Sequence, residues 1–266
     1  MRVAAIQMIS GPVVAENLSE AARLVAMAAG QGAVLAVLPE YFPMIGASEE
    51  DRLDARESEG EGPIQKFLSS LAKEQRIWLV GGSLPTYANH PGKTRNTCFV
   101  FDSEGERRAR YDKIHLFGFE HGSERYDEGK YIEAGESFTV CETPYGRMGI
   151  AICYDLRFPE LFRKMGEVDF IVVPAAFTET TGQAHWELLI RARAVENQCH
   201  VIASAQGGEH PTGRRTFGNS MIVDPWGEIM ARIEKGPGVV VAEMDPSRTE
   251  SVRKSLPALR HRKLVS

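Results

Sequence analysis

MGIAICYDLRFPELFR, residues 148–163, is the stretch on which the reading of this chain turns. Its opening, Met148 to Ile152, is apolar apart from one glycine and stops at Cys153. Tyr154 and Asp155 begin a turn. Phe158-Pro159-Glu160-Leu161-Phe162 then reads as a helix start, with Pro159 suited to a first helical position and Glu160 to the positive end of the helix dipole. Cys153 is therefore expected where a buried strand hands over to a helix. Backbone N–H groups at such a junction favour ionisation of a thiol. A cysteine after an apolar strand is also a common small core residue. The choice between nucleophile and packing residue rests on what the remaining chain supplies.

Working outward, similar apolar runs recur at residues 2–8, 33–38, 77–84, 169–173, 200–205 and 239–243, and each reads as a strand. The run at 33–38 ends at Pro39-Glu40, which puts a carboxylate at the rim where open α/β sheets carry their sites. The 77–84 run contains Gly81-Gly82. Hairpins are predicted at 96–101 with 107–116, at 138–141 with 147–152, and at 221–223 with 228–233. Lys113 falls in the second arm of the first hairpin. Asn17-Leu18-Ser19-Glu20 has capping-box spacing for a helix that stops near Gly30 or Gly32. Helices are also expected over 63–75, over 184–196 and after Asp245-Pro246. Residues 48–61 read as a charged loop with a short helical piece, and 256–266 as a basic tail. Residues 118–135 are polar without a period, and a long loop of this kind is more often functional than idle. Alternating strands and helices predict an α/β layered protein with a mixed sheet, or two sheets face to face. No linker or low-complexity segment interrupts the pattern, so residues 1–266 are read as one domain.

The totals exclude several classes. A net charge of −5 leaves no basic footprint for nucleic acid. No apolar run is long enough to span a membrane, and the first ten residues lack the shape of a signal peptide. Cys98, Cys141, Cys153 and Cys199 are widely spaced, as expected of reduced thiols in a cytoplasmic protein rather than of a disulfide framework. There is no HExxH, CxxC or paired-histidine spacing, no Walker A loop and no GxGxxG, so neither metal nor cofactor is expected.

Three ionisable residues stand in matching settings. Glu40 and Cys153 each end an apolar strand, and Lys113 lies between Tyr111-Asp112 and Ile114-His115. A carboxylate, an ammonium and a thiol suffice for acyl transfer. The carboxylate removes the thiol proton, the thiolate adds to a carbonyl, and the ammonium with the N–H after the cysteine receives the oxyanion. Spacing alone does not select these three over other ionisable residues.

The strings LPEYF (38–42), YDKIHLF (111–117) and GIAICYDLRFPEL (149–161) closely resemble, in order, the three signatures of the nitrilase superfamily of carbon–nitrogen hydrolases. The likeness extends through AHWELLIRARAVENQ (184–198) and NSMIVDPWGEI (219–229). The resemblance implies a four-layer α-β-β-α sandwich that pairs into a homodimer or a larger homo-oligomer. It places a Glu-Lys-Cys triad on Glu40, Lys113 and Cys153, with a supporting glutamate at Glu128 and Glu120 as the fallback. The surrounding strings look most like the deaminated glutathione amidase branch, with the ω-amidase branch that acts on α-ketoglutaramate close behind.

The implied reaction is hydrolysis of a small anionic amide through a thioester, releasing ammonia and a carboxylate. The Tyr154 N–H and Lys113 would hold the oxyanion. Arg157 is the candidate clamp for the substrate carboxylate. Arg191 and Arg193 read as ordinary helix ion pairs, His185 as a packing or capping residue, Trp186 and Trp226 as packing, and Cys98, Cys141 and Cys199 as structural. The rival readings are an acyltransferase or true nitrilase of the same superfamily, a thiol redox sensor built on Cys153, and a non-catalytic dimeric scaffold.

Overall fold

Most of the apolar runs become middle strands of two β-sheets, because a strand covered on both faces has no polar side to present, whereas the run at 239–243 lies at a sheet edge. The computed structural model describes residues 1–48, 50–122 and 124–264. In chain order its elements begin with β1 (Arg2–Gln7), α1 (Val14–Gly30), β2 (Leu35–Val37), α2 (Glu50–Asp54), α3 (Pro63–Gln75), β3 (Trp78–Val80), β4 (Leu84–Tyr87), β5 (Thr94–Phe101) and β6 (Arg107–Asp112). Next come β7 (Gly118–His121), β8 (Glu124–Asp127), β9 (Thr139–Thr143), β10 (Gly146–Ile150), α4 (Pro159–Lys164), β11 (Phe170–Ala175), α5 (Glu179–Asn197) and β12 (His200–Ala205). The chain closes with β13 (Gly207–Glu209), β14 (Arg215–Phe217), β15 (Ser220–Val223), β16 (Ile229–Ile233), β17 (Gly238–Glu243) and α6 (Pro246–Ser255).

One sheet has the order β17-β1-β2-β3-β5-β4 with β6 paired to β5, and the other β16-β15-β12-β11-β10-β9. Each has a parallel centre, β1-β2-β3 in the first and β10-β11-β12 in the second, with antiparallel flanks. Alternation along β1 sets the layers. Ala4 and Ile6 pack with Leu24 and Val25 of α1 and with Ile64 and Leu68 of α3. Val3 and Ala5 belong instead to a cluster shared with Met148, Ile150, Val201 and Ile222 of the second sheet, which Trp186, Ile190 and Ala194 of α5 also join. The order of layers is α-β-β-α, as the resemblance implied. Full burial of a Leu or Ile side chain stabilises by about 1.5–3 kcal/mol, so the apolar stripe of α3 holds that helix on its sheet.

Polar side chains fix the register between the sheets. Gln7 Oε1 accepts from the Ser220 N–H and hydroxyl, both at 2.9 Å, and Gln7 Nε2 donates to the Gly236 carbonyl at 2.9 Å. The Ser204 hydroxyl donates to the Ile6 carbonyl. Leaving one such buried group unpaired would cost about 1–3 kcal/mol, so the sheets cannot slide past one another cheaply.

Several expectations are corrected. The helix α1 starts at Val14, ahead of the capping-box pattern, and has no side-chain cap. Asn17 instead ties two loops together, accepting from the Gly11 N–H and donating to the Gly11 and Pro43 carbonyls. The 77–84 run is two strands, because Gly82 turns at φ +57°, and a Cβ there would lie 2.2 Å from the Pro39 carbonyl oxygen. Only glycine lets this chain pass so close to the loop that bears Glu40. The 118–135 stretch is the β7–β8 ribbon followed by a 3₁₀ turn, Glu128–Lys130. The helix α5 begins at Glu179, capped by the Thr178 hydroxyl, which accepts from the Thr181 N–H at 3.2 Å. Trp186 is buried as read, with its indole N–H on the Asn219 carbonyl at 2.7 Å. Trp226, read as packing, is 52% exposed at the tip of the β15–β16 turn. Residues 265–266 of the basic tail lie outside the described residues. Among the described residues no helix is long and apolar enough to cross a membrane.

Candidate active site

Glu40 and Cys153 are delivered from different sheets to the same place. Beyond β2 the chain turns through Pro39-Glu40-Tyr41, with Tyr41 at φ +56° and its N–H on the Ser83 hydroxyl at 3.0 Å. Gln206, beyond β12, donates to the Glu40 carbonyl at 3.1 Å, so the turn is held from the other sheet too. Lys113 lies just past β6, and its N–H still donates to the Asn96 carbonyl at 2.9 Å.

The side chains of these segments meet in the interior. Lys113 Nζ donates to Glu40 Oε1 at 2.9 Å and to Glu128 Oε2 at 2.8 Å. Asn96 Nδ2 also donates to Glu40 Oε1, at 2.9 Å. Glu128 accepts further from the Tyr41 hydroxyl at 2.7 Å and the Phe117 N–H at 2.8 Å. Both Lys113 and Glu40 are buried. A buried ammonium persists only when paired and hydrogen-bonded, and Lys113 is held by two carboxylates. Burial alone would lower its pKa, but Glu128 and Glu40 more than offset this and hold it well above the ordinary lysine value. Burial likewise pushes the Glu128 carboxyl up, yet Lys113, the Phe117 N–H and the Tyr41 hydroxyl together bring it below the usual carboxylate range. Of the two glutamates considered from the sequence, Glu128 is the one at Lys113. Glu120 lies exposed on β7.

Cys153 follows β10 at φ +49°, at the start of a 3₁₀ turn, Cys153–Arg157. A residue with a Cβ in this left-handed region costs roughly 1–2 kcal/mol, so the surroundings must hold it there. Asp155 does much of this. Its Oδ2 accepts from the Ile152 N–H at 2.8 Å and the Tyr111 hydroxyl at 2.7 Å. Its Oδ1 accepts from the His115 N–H at 3.1 Å and lies 2.7 Å from His115 Nδ1. One fully buried carboxylate thus ties the residue before Cys153 to residues on both sides of Lys113. Burial pushes the Cys153 thiol well above its ordinary pKa and the Glu40 carboxylate adds to the shift, while Lys113 and the Ala176 N–H reverse it only in part. Burial and Glu40 together thus favour the protonated sulfur.

Glu40, Glu128 and Cys153 line one cavity together with Arg157. The Arg157 guanidinium carbon lies 5.6 Å from the Tyr154 ring centre and 5.4 Å from that of Phe177, and its Nη1 is 3.3 Å from His185 Nδ1. Tyr154 packs edge-on against Phe117 and Phe158. The other two arginines are occupied elsewhere. Arg191 donates to the Gly227 carbonyl and pairs with Glu187, whereas Arg193 donates to the Leu156 carbonyl and pairs with Glu196. Cys98, Cys141 and Cys199 are buried away from this cavity. Among the described residues no cluster of three or more His, Cys, Asp or Glu is placed to hold a metal ion.

Sequence reasoning missed Asn96, Asp155, Gln206 and Arg214. Asp155 carried a signal, an acid two residues past the cysteine inside a tight turn. Arg214, which also lines the cavity, sits in a Gly- and Pro-rich loop with a second arginine beside it.

The carbon–nitrogen hydrolase family model matches residues 2–254, and the chain belongs to that family. A deaminated glutathione amidase from Synechocystis sp. is 40% identical over 268 residues, covering 98% of each chain. Omega-amidase NIT2 from Xenopus tropicalis is 38% identical, covering 98% of this chain and 95% of that protein. The solved structure of Saccharomyces cerevisiae Nit3, a member of branch 10 of the nitrilase superfamily, superposes with a TM-score of 0.88 at 32% identity, covering 99% of this chain and 97% of that one.

Proposed function

We propose that the chain is an amidase in which Cys153 is the nucleophile, Glu40 the general base and Lys113 with the Tyr154 N–H the oxyanion donors. The observation that carries this is the buried Lys113 ammonium held between Glu40 and Glu128, the two carboxylates that line one cavity with Cys153. Glu40 takes the thiol proton as sulfur bonds to the amide carbonyl carbon. The negative charge that gathers on the carbonyl oxygen meets Lys113 and the Tyr154 N–H. Collapse breaks the C–N bond, and Glu40 returns the proton to the departing nitrogen, leaving a thioester on Cys153. Glu40 then deprotonates water, the oxygen adds to the thioester carbonyl and expels sulfur, Glu40 returns the proton to the departing sulfur, and the carboxylic acid leaves. Glu128 is a positioning residue that fixes the Lys113 ammonium.

The substrate class is a small anionic amide whose carboxylate meets Arg157, with deaminated glutathione preferred and α-ketoglutaramate second. Similarity of 40% to one relative and 38% to the other does not separate them. Chemistry narrows the question. Cleaved at the amide of their common keto-diacid unit, the two would place the same acyl group on Cys153 and differ only in the amine that leaves, ammonia from α-ketoglutaramate and a peptide amine from deaminated glutathione. The test is to supply each amide, quantify the acid released without any added acceptor, and weigh the acid-quenched protein for an acyl group on Cys153. Turnover of either amide with that adduct supports the reading. Turnover that requires an amine acceptor identifies a transferase instead, and turnover confined to nitriles removes the amidase assignment.

A homodimer fits the surface of α5. Leu188 and Val195 are 67% and 48% exposed on that helix. A Cβ on Gly227 would lie 2.7 Å from Val195 Cγ2, so the exposed Trp226 turn adjoins that end of the helix. Leu188→Asp should therefore convert a dimer to a monomer in sedimentation velocity, and an unchanged mass would place the interface elsewhere. The unpaired thiols fit a reducing compartment, which we take to be the cytoplasm.

A further inference from the structure

A second guanidinium, that of Arg214, lines the cavity beside Cys153, and it comes from outside the nucleophile's own turn. Its carrier, the loop between β13 and β14, is anchored. The His210 N–H donates to the Arg214 carbonyl at 2.8 Å. The His210 ring lies 2.8 Å from both the Ser10 carbonyl and the Thr216 hydroxyl. The Phe217 N–H donates to the Phe177 carbonyl at 3.0 Å, which joins the hairpin to the wall formed by Phe177.

Among the described residues the guanidinium itself has no anion within ion-pair distance. Its Cζ lies 5.9 Å from the Tyr126 ring centre, and its Nε is shielded from solvent with no hydrogen-bond partner. The two carboxylates that reach the same cavity, Glu40 and Glu128, are both held by Lys113. Arg214 is half-buried, and a shielded donor without a partner is unfavourable until an acceptor arrives.

Its placement relative to Arg157 gives the arrangement a meaning. Arg157 lies over Tyr154 and Arg214 over Tyr126. Phe117 packs with both rings, 5.2 Å from Tyr154 and 5.4 Å from Tyr126. The contacts Tyr154–Phe117–Tyr126 thus link the two guanidinium groups, and both line the one cavity. Two guanidinium forks in one cavity suit a ligand with two anionic groups, since a guanidinium fork matches a carboxylate.

We propose that Arg214 is a specificity-determining residue that receives a second carboxylate, carried on the amine half of the amide. The site then favours a dianionic, peptide-like amide over a primary amide with the same acyl half. This rests on the amidase reading above. A primary amide has only ammonia as its amine half and presents nothing to Arg214.

The test is steady-state kinetics of the full chain and of Arg214→Gln with deaminated glutathione, its carboxyl-terminal amide and α-ketoglutaramate. The ratio of kcat/KM between deaminated glutathione and α-ketoglutaramate should fall about 10- to 100-fold in the variant, the range expected for a hydrogen-bonded charge. The wild-type protein should discriminate against the carboxyl-terminal amide by a similar factor, and the variant should not, which closes a double-mutant cycle. An unchanged ratio, or equal discrimination in both proteins, overturns the proposal. If the wild-type protein cleaves neither amide, the substrate reading fails on its own. Arg214 is then read from protection of Cys153 against iodoacetamide by alanylglycine and by alanylglycinamide. Protection by the acid alone, lost in Arg214→Gln, upholds the second anion site, and protection indifferent to the variant removes it.

Discussion

Replacing Cys153 by alanine should lower kcat by on the order of 10⁶-fold, as loss of a nucleophile does in triad enzymes, with little change in stability. Alanine has the same Cβ, so it neither relieves nor worsens the left-handed backbone at φ +49°. The Asp155 bonds that hold the turn use backbone and neighbouring side chains, none of them the sulfur. A thermal melt within a few degrees of wild type, beside the lost turnover, separates chemistry from folding. Normal amide hydrolysis by Cys153→Ala would end the scheme.

The thiol itself supplies a pH test. Because burial and Glu40 hold the Cys153 thiol well above its ordinary range, the free thiolate grows only as pH rises past that range. Alkylation of the unliganded protein by iodoacetamide should keep accelerating through pH 9 rather than level off near neutrality. Label should fall on Cys153, since of the four cysteines it is the one that lines the cavity. A plateau near neutral pH would mean a preformed thiolate and would remove the need for Glu40 as base.

The parts of the site that were legible from the sequence lie where the hydrophobic pattern changes abruptly. Glu40 and Cys153 follow continuous apolar strands, and such strands have sharp ends. Lys113 was placed by its hairpin, although β6 stops at Asp112. The family likeness then chose these three from the other ionisable residues, which pattern alone could not do. Legibility failed where local pattern and tertiary role diverge. The β7–β8 strands are only four residues long and fully buried on neither face, so their alternation is too short to register and the stretch reads as a loop. Asn17 has the spacing of a helix cap but works as a tie between Gly11 and Pro43. Gly82 splits a run that composition reads as one strand, because its neighbour in space is Pro39. Asp155 and Arg214 owe their importance to segments far away in sequence, and no window of neighbouring residues contains those partners.

Lys113→Met keeps the length and volume of the side chain and removes its charge. Losing one oxyanion donor typically costs about 10²–10³ in rate, so kcat should fall at least that far. Stability should suffer as well, because breaking a buried ion pair from one side costs about 3–5 kcal/mol. The pH dependence distinguishes the two effects. In the wild-type protein the Glu128 carboxyl sits below its ordinary range, so its contribution to stability is present above that range and lost as pH falls through the lowered value. Without the ammonium, burial remains the largest influence on the Glu128 carboxyl and should push it up. Its contribution is then present at low pH and lost as pH rises. The variant should accordingly resist urea better at pH 5 than at pH 7.5, a dependence opposite in sign to that of Glu128 in the wild-type protein. Adding Glu128→Gln supplies a neutral acceptor for the Tyr41 hydroxyl and the Phe117 N–H. The double variant should regain much of the lost stability at pH 7.5 and none of the lost kcat, because nothing restores a cation beside the carbonyl oxygen. Recovery of turnover in that double variant would show that Lys113 serves only to neutralise its neighbours, and the oxyanion role assigned to it would have to be given up.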